Sequence, residues 1–275
     1  MSKPEEIEDT KKLAWFDANP SEQEVPPAAT RRLLETYSGI PSDDVFQHVI
    51  RTREEAWKIF PYPCIGQFRF LEPSFIELGN EFKEVVDRLS KGQKLLDMAC
   101  CFGQTVRELV AGGAPAENVY GCDLEQGFID MGYELFKDRG KLQSKFLVAN
   151  IFDANSALAD WRGKFDMVYA GSFFHLWGLE DQIKVSKAVA GLLRPEKGSM
   201  ILGRQIGAVE PTEQNFPTGI MYRHNVESFQ KMWKEIGDDI GATFTVEARL
   251  KSLDERHYNW QREGTRRLWF VIRRE

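Results

Sequence analysis

Leu95-Leu96-Asp97-Met98-Ala99-Cys100-Cys101-Phe102-Gly103-Gln104 runs from an apolar strand into a carboxylate, a turn of small residues and the start of a helix. In an open parallel sheet, ligands bind beyond the carboxyl ends of the strands, where Asp97 and this turn fall. Small residues let the backbone approach a ligand closely. Asp97 can accept from an ammonium group or hold the turn. An ordinary strand–turn–helix joint would look much the same, so the neighbouring segments decide between the two readings.

The next strand candidate, Val119-Tyr-Gly-Cys-Asp123, also ends in an acid, 20 residues beyond Gly103. Nucleoside-binding folds place an acid at that spacing to accept from ribose hydroxyls. A third, Phe146-Leu-Val-Ala-Asn150-Ile151-Phe152-Asp153, ends in an amide beside two apolar side chains, a combination suited to an adenine edge and its faces. Asp153 reads equally well as a helix N-cap. Working outward, strand candidates at 94–98, 118–122, 145–149, 165–170 and 199–203 alternate with helical stretches near 104–112, 126–138, 156–161 and 180–193. That rhythm predicts an α/β fold, a parallel sheet with helices on both faces. A helix near 225–236 and two closing strands, 242–251 and 267–273, complete it.

Ahead of this block lies a different text. Residues 1–27 are polar and proline-containing, and are expected to be mobile unless they fold over a site. Ser42 is placed to cap a helix bearing Val45, Phe46, Val49 and Ile50. Phe75, Leu78, Phe82, Val85 and Leu89 form a second apolar stripe. Between them, residues 60–73 carry three prolines and many aromatics, which predicts an irregular segment. The expected organisation is an N-terminal helical extension or lid over 1–90 and a ligand-binding domain over 91–275.

The chain has 275 residues, with 36 Lys and Arg against 42 Asp and Glu, a net charge of −6. That balance argues against nucleic acid as a partner. No apolar run approaches a membrane span. The start resembles neither a secretory signal nor a transit peptide, so a cytoplasmic location is expected. Cys64, Cys100, Cys101 and Cys122 suit neither a disulfide scaffold nor common zinc spacing, and read as reduced thiols.

Residues 94–205 resemble a class I S-adenosylmethionine-dependent methyltransferase. That family carries Asp/Glu-x-Gly-x-Gly-x-Gly after its first strand, an acid after the second and a polar adenine contact after the third. The resemblance implies a Rossmann-like seven-stranded sheet with one antiparallel strand. It also implies that Asp97, Ala99 and Gly103 hold the methionine end of S-adenosylmethionine, Asp123 the ribose, and Leu124, Asn150 and Ile151 the adenine. Ala99 and Cys101 stand where the family has glycine, and Cys101 is expected to be buried rather than reactive. Together with residues 61–72 and Gly203-Arg-Gln-Ile-Gly207, the pattern is similar to fungal methyltransferases of meroterpenoid pathways, thought to esterify a farnesylated aromatic polyketide acid.

A carboxylic acid of pKa ~4 is ionised at neutral pH and needs no general base, whereas a phenol of pKa ~10 usually does. The resemblance implies transfer to a carboxyl group of a small hydrophobic acid, and the sequence offers no His/Asp/Glu cluster with metal spacing, so no metal is expected. His175 lies just past the fourth strand and can donate to the acceptor or act as base. Arg204 and Gln205 follow the fifth strand, and Arg204 can pair with a carboxylate. Gln67 is a candidate donor near the methyl group. His224 is a weaker candidate, and His48 and His257 read as ordinary residues. Tyr62, Phe68, Phe70, Phe173, Phe174, Trp177 and Phe216 offer an apolar wall. Two alternatives stay open: a phenol O- or C-methyltransferase with His175 as base, and a cofactor-binding subunit without catalysis. The family resemblance implies a homodimer joined through the N-terminal helices.

Overall fold

The computed structural model describes residues 10–74, 80–216, 219–253 and 261–275. Each of the five alternating apolar segments forms a strand: β1 (Leu95–Met98), β2 (Val119–Asp123), β3 (Lys145–Val148), β4 (Met167–Tyr169) and β5 (Met200–Ala208). A hairpin of β6 (Thr212–Phe216) and β7 (Gly219–Arg223) follows, and β8 (Phe244–Lys251) and β9 (Thr265–Arg274) close the chain. The main sheet has seven strands in the order β3-β2-β1-β4-β5-β9-β8, with β6 and β7 paired apart from it. Strand β2 runs parallel to β3, β1, β4 and β5 run parallel to one another, and β9 is antiparallel to both β5 and β8. All nine residues of β5 are buried, as its central position requires. β8 alternates half-buried with exposed residues, as a strand with one wet face does.

The helices are α1 (Ala28–Thr36), α2 (Ser42–Ile59), α3 (Pro63–Gly66), α4 (Asn80–Ser90), α5 (Gln104–Ala111), α6 (Gln126–Phe136), α7 (Leu179–Ala190) and α8 (Val226–Ile240). The chain divides into two compact units.

One unit contains residues 93–99 and 149–275, hence β1, β4, β5, the hairpin, α7, α8, β8 and β9. Its core stacks Phe174, Phe229, Trp233 and Phe270, with ring centroids 5.0–6.4 Å apart. Helix α8 starts at a reciprocal cap: Asn225 accepts from the Ser228 amide at 2.9 Å, and Ser228 Oγ accepts from the Asn225 amide at 3.1 Å.

The other unit joins the N-terminal segment up to residue 92 to residues 100–148, which carry α5, β2, α6 and β3. Here α2 lies against α6, and His48 Nε2 sits 2.9 Å from the Leu135 carbonyl. Val85 and Leu89 on α4 are fully buried.

Several expectations need correction. Residues 10–27 are packed down: Trp15 and Val25 are buried, and Trp15 Nε1 donates to the Pro61 carbonyl at 3.1 Å. Ser42 is the first residue inside α2 and Pro41 is its N-cap, because Pro41's fixed φ already directs the chain into the helix. Helix α1 and the β6–β7 hairpin were not foreseen. Residues 156–161 form a 3₁₀ turn, Ala157–Trp161, and the irregular 60–73 segment includes α3 and a 3₁₀ turn at Arg69–Leu71. Asp153 accepts from the Asn155 amide in a local turn, and Ser156 is the residue that precedes the 3₁₀ helix. Phe75, Leu78 and His257 lie outside the described residues.

Candidate active site

Ala99, Cys101 and Gly103 all adopt left-handed backbone, with φ of 57°, 51° and 63°. These are the three positions where the methyltransferase motif has glycine. At two of them, Ala99 and Cys101, the glycine-type path is kept by a residue with a Cβ, at a cost of about 1–2 kcal/mol each. Local bonds hold it in place. The Cys101 amide donates to Asp123 Oδ2 at 2.8 Å, and the Cys100 amide donates to the Cys122 carbonyl at 2.9 Å. The Gly103 amide donates to the Cys100 carbonyl at 2.7 Å.

Arg107, fully buried one turn into α5, braces the loop from behind. Its Nη1 donates to the Phe102 and Gly103 carbonyls at 2.9 and 3.3 Å. Asp138 clasps the other side of the guanidinium at 2.9 and 3.0 Å. A Cβ at Gly103 would meet Arg107 Nη1 and the Phe146 ring, so glycine is kept where space is least. A Cβ at Gly132 on α6 would collide with the Phe102 carbonyl, so a helix backbone closes over the turn. Cys101 is half-buried rather than buried, because its left-handed backbone turns its Cβ out of the packed side of the loop. Cys100 is the buried one of the pair, and its Sγ would lie 3.1 Å from a Cβ on Gly121.

Asp123 also accepts from the Glu125 amide, through Oδ1 at 3.0 Å. The Leu124 amide faces the carboxylate as well, and the roughly four lone-pair sites of a carboxylate still leave room to accept from a ribose hydroxyl. Burial raises its pKa, and the backbone amides act in the opposite direction. Tyr62 and Cys64 stand close enough for the Asp123 charge to reinforce the rise that burial gives their own pKa values. The Cys64 thiol is pushed up to about 11 and stays protonated at neutral pH. Leu124, next in the chain, is 52% exposed. A cradle lined by backbone, a carboxylate with spare acceptor sites and an uncovered apolar side chain fit an adenosyl amino acid ligand. Neither Tyr62 nor Cys64 was expected at the acid, and no local motif marks them for it.

In the other unit, Asp97 is the third residue of β1, one before its end, and is 3% exposed. The Asn150 carbonyl oxygen accepts from the Phe152 amide at 3.0 Å, which leaves its NH2 as the group free to read a base edge. Ile151 is half-buried, and Phe152 is 46% exposed with its ring 5.3 Å from Trp177. His175 sits in the 3₁₀ turn Phe174–Leu176 that follows β4. The turn is pinned to β5, because the Ser172 amide donates to the Arg204 carbonyl at 2.6 Å. His175 and Arg204 therefore come from adjacent segments. The Arg204 side chain is buried with its guanidinium 5.5 Å from the Trp269 ring centre. Gln67 belongs to the N-terminal segment, where it caps α3 and is half-buried. Among the described residues, no cluster of His, Cys, Asp and Glu could hold a metal ion, and no helix is long and apolar enough to cross a membrane.

The strand order, the left-handed loop and the acid after β2 define an S-adenosylmethionine-dependent methyltransferase. Residues 95–196 match the profile of a methyltransferase domain, and residues 15–71 match that of the meroterpenoid methyltransferase N-terminal domain. The chain is 43% identical to the O-methyltransferase atr3 of Stereocaulon alpinum, over 98% of this chain and 79% of that protein. It is 38% identical to the methyltransferase adrK of Penicillium roqueforti, over 89% and 88%. It is 37% identical to the asnovolin E/chermesin D methyltransferase nvfJ of Aspergillus novofumigatus, over 79% of each. The chain belongs to this family of fungal meroterpenoid-type methyltransferases. Two solved structures share the fold at a TM-score of 0.51: the [4+2]-cyclase SpnF, at 14% identity over 70% of this chain and 79% of that one, and the N-terminal domain of EvdMO1 with S-adenosylhomocysteine bound, at 9% over 71% and 79%. A cyclase on the same fold is a reminder that architecture alone does not set the reaction.

Proposed function

We propose that the enzyme methylates a carboxyl group of a hydrophobic polyketide-derived or meroterpenoid acid. Bound S-adenosylmethionine supplies an activated methyl group. A carboxylate oxygen of the acceptor forms the new C–O bond as the C–S bond breaks, the electron pair stays on sulfur, and no proton has to move. The protein's part is to align the two reactants and exclude water.

The observation that carries this reading is Arg204, a buried guanidinium midway along β5, inside the strand rather than after it, whose backbone carbonyl holds the turn that leads to His175. Such a group favours an anionic acceptor and can hold both carboxylate oxygens. In this reading Asp97, Ala99 and Gly103 take the amino-acid end of the cofactor, Asp123 the ribose, and Leu124, Asn150 and Ile151 the adenine. Gln67 and His175 orient the acceptor, and the N-terminal segment to about residue 90 serves as the lid. The relatives named O-methyltransferases support transfer to oxygen.

The position of His175 supports a second reading, a phenol O- or C-methyltransferase with His175 as base. The pH dependence of the rate separates the two. A carboxylate acceptor gives a rate that stays flat from pH 6 to 8 and survives His175→Ala. A loss of rate below a histidine-like pKa, abolished in His175→Ala, overturns the carboxyl reading.

A further inference from the structure

Gln205 lies in β5 opposite Leu268 of β9, and only 1% of it is exposed. Neither its amide nitrogen nor its amide oxygen meets a hydrogen-bond partner among the described residues. Strand alternation puts its side chain on the same face as Gly203 and Gly207. Both neighbours lack a Cβ for a steric reason. One at Gly203 would meet the Ala170 carbonyl and the Phe270 ring, and one at Gly207 would meet the His224 carbonyl and Leu268.

The same cluster holds a second incomplete polar group. His224 is 1% exposed, its Nδ1 lies 2.9 Å from Ser228 Oγ, and its Nε2 has no partner among the described residues. The Phe229 ring links the two sites, at 5.6 Å from His224 and 5.0 Å from Phe270. Gln182 ties the surrounding elements together, donating to the Trp177 and Tyr222 carbonyls at 2.8 and 2.7 Å. Burial lowers the His224 pKa to about 4, so the imidazole is neutral at physiological pH.

A buried amide with both ends unsatisfied is costly unless a ligand or water completes it. We propose that Gln205 and His224 form a recognition site for a hydroxyl group on the methyl acceptor. A hydroxyl both donates and accepts, which a primary amide and a neutral imidazole can answer together. A ketone would satisfy the amide nitrogen alone, and a charged group would be desolvated beside a neutral imidazole. Alternation turns Arg204 to the opposite face of β5, so the glutamine reads an oxygen function apart from the carboxylate. This assignment rests on the methyl-acceptor reading above.

The test is calorimetric and needs no turnover. A hydroxylated aromatic acid and its deoxy counterpart are titrated into enzyme saturated with S-adenosylhomocysteine, for the wild type and for Gln205→Met. The wild type should prefer the hydroxylated acid at least tenfold, and Gln205→Met should bind the two alike with unchanged affinity for S-adenosylhomocysteine. Because the variant removes an unmet buried amide, its Tm should rise, by about 2 °C. A wild type indifferent to the hydroxyl, as a water-filled site would be, overturns the proposal. So does a variant that keeps the preference. If Gln205→Met does not fold, Gln205→Asn retracts the same amide and takes its place. If neither acid binds, the acid reading fails first, and a fall in Tm for Gln205→Met then overturns the hydroxyl site independently.

Discussion

The Tyr37 phenol donates a 2.8 Å hydrogen bond to Asp138 Oδ2, the same oxygen that Arg107 Nε reaches at 2.9 Å. Tyr37 is the residue that closes α1 in the N-terminal segment, and Arg107 holds the Phe102 and Gly103 carbonyls of the left-handed turn. The N-terminal segment thus ends a chain of bonds that begins at Phe102 and Gly103. Three rings, Tyr133, Phe136 and Phe146, surround the guanidinium at 5.1–5.2 Å and keep water from it. A buried pair this well satisfied adds little over an apolar core, but breaking it leaves a charge with no compensation.

Two substitutions should separate those contributions. Tyr37→Phe removes one hydrogen bond and should destabilise the protein by about 1 kcal/mol in urea unfolding. Asp138→Ala strands the arginine and should cost about 3–5 kcal/mol. Both should weaken S-adenosylhomocysteine binding, Asp138→Ala more. If Asp138→Ala binds the nucleoside as tightly as wild type, the brace has no role in shaping the turn.

The left-handed residues make a second, sharper contrast. Cys101→Gly removes the steric cost of a Cβ at φ 51° while adding freedom to the unfolded chain, so the two effects nearly cancel. Its stability should stay within about 1 kcal/mol of wild type and its affinity for S-adenosylhomocysteine within about threefold. Cys101→Val puts a β-branched side chain into the same conformation and should lose both. A valine variant that binds normally would mean that the turn does not need this backbone.

The three strand ends were legible because each joins an apolar run to a polar residue before a helix, a local pattern. Asp123 illustrates this: its place after β2 and its distance from Gly103 are both written in the chain. The apolar run predicts an end to β5 at Gly203, because Arg204 and Gln205 are polar, yet the strand continues buried to Ala208. The β6–β7 hairpin escaped notice because Thr-Glu-Gln-Asn-Phe offers no apolar face to count. Arg107, Asp138 and Tyr37 are separated by 31 and 101 residues, and nothing local says that three polar side chains will meet in a core. Tyr62 and Cys64 reach Asp123 for the same nonlocal reason.

His224 makes stability depend on acidity. Its pKa in the folded protein is about 4, below the ordinary 6.5, and burial is the cause. The unfolded chain therefore binds the proton more readily, and stability is lost as pH falls from about 6.5 to about 4. The loss from this one group is on the order of 3 kcal/mol. His48 is also lowered by burial and adds in the same direction. Urea unfolding at pH 7, 5.5 and 4.5 should give a falling midpoint, and His224→Gln should flatten the decline. A variant with the wild-type slope would show that the imidazole is already solvated in the folded state.

The tightest geometric demand on the left-handed turn comes from α6. A Cβ at Gly132 meets the carbonyl, carbonyl carbon and Cα of Phe102, all backbone atoms that no rotamer change can move. Gly132→Ala must therefore shift either the helix or the turn. The helix is held by Phe128, Ile129, Leu135 and Phe136, all buried, so the turn is the element that gives. The Cys101 amide would then draw away from Asp123, and the acid would lose the bond that orients it. Gly132→Ala should lower S-adenosylhomocysteine affinity at least tenfold, about 1.4 kcal/mol, with only a moderate fall in stability. Asp123→Ala should show a loss of similar size, and the double variant less than the sum, because both act through one turn. Full additivity would separate the helix from the acid, and unchanged binding in Gly132→Ala would mean that the turn tolerates displacement.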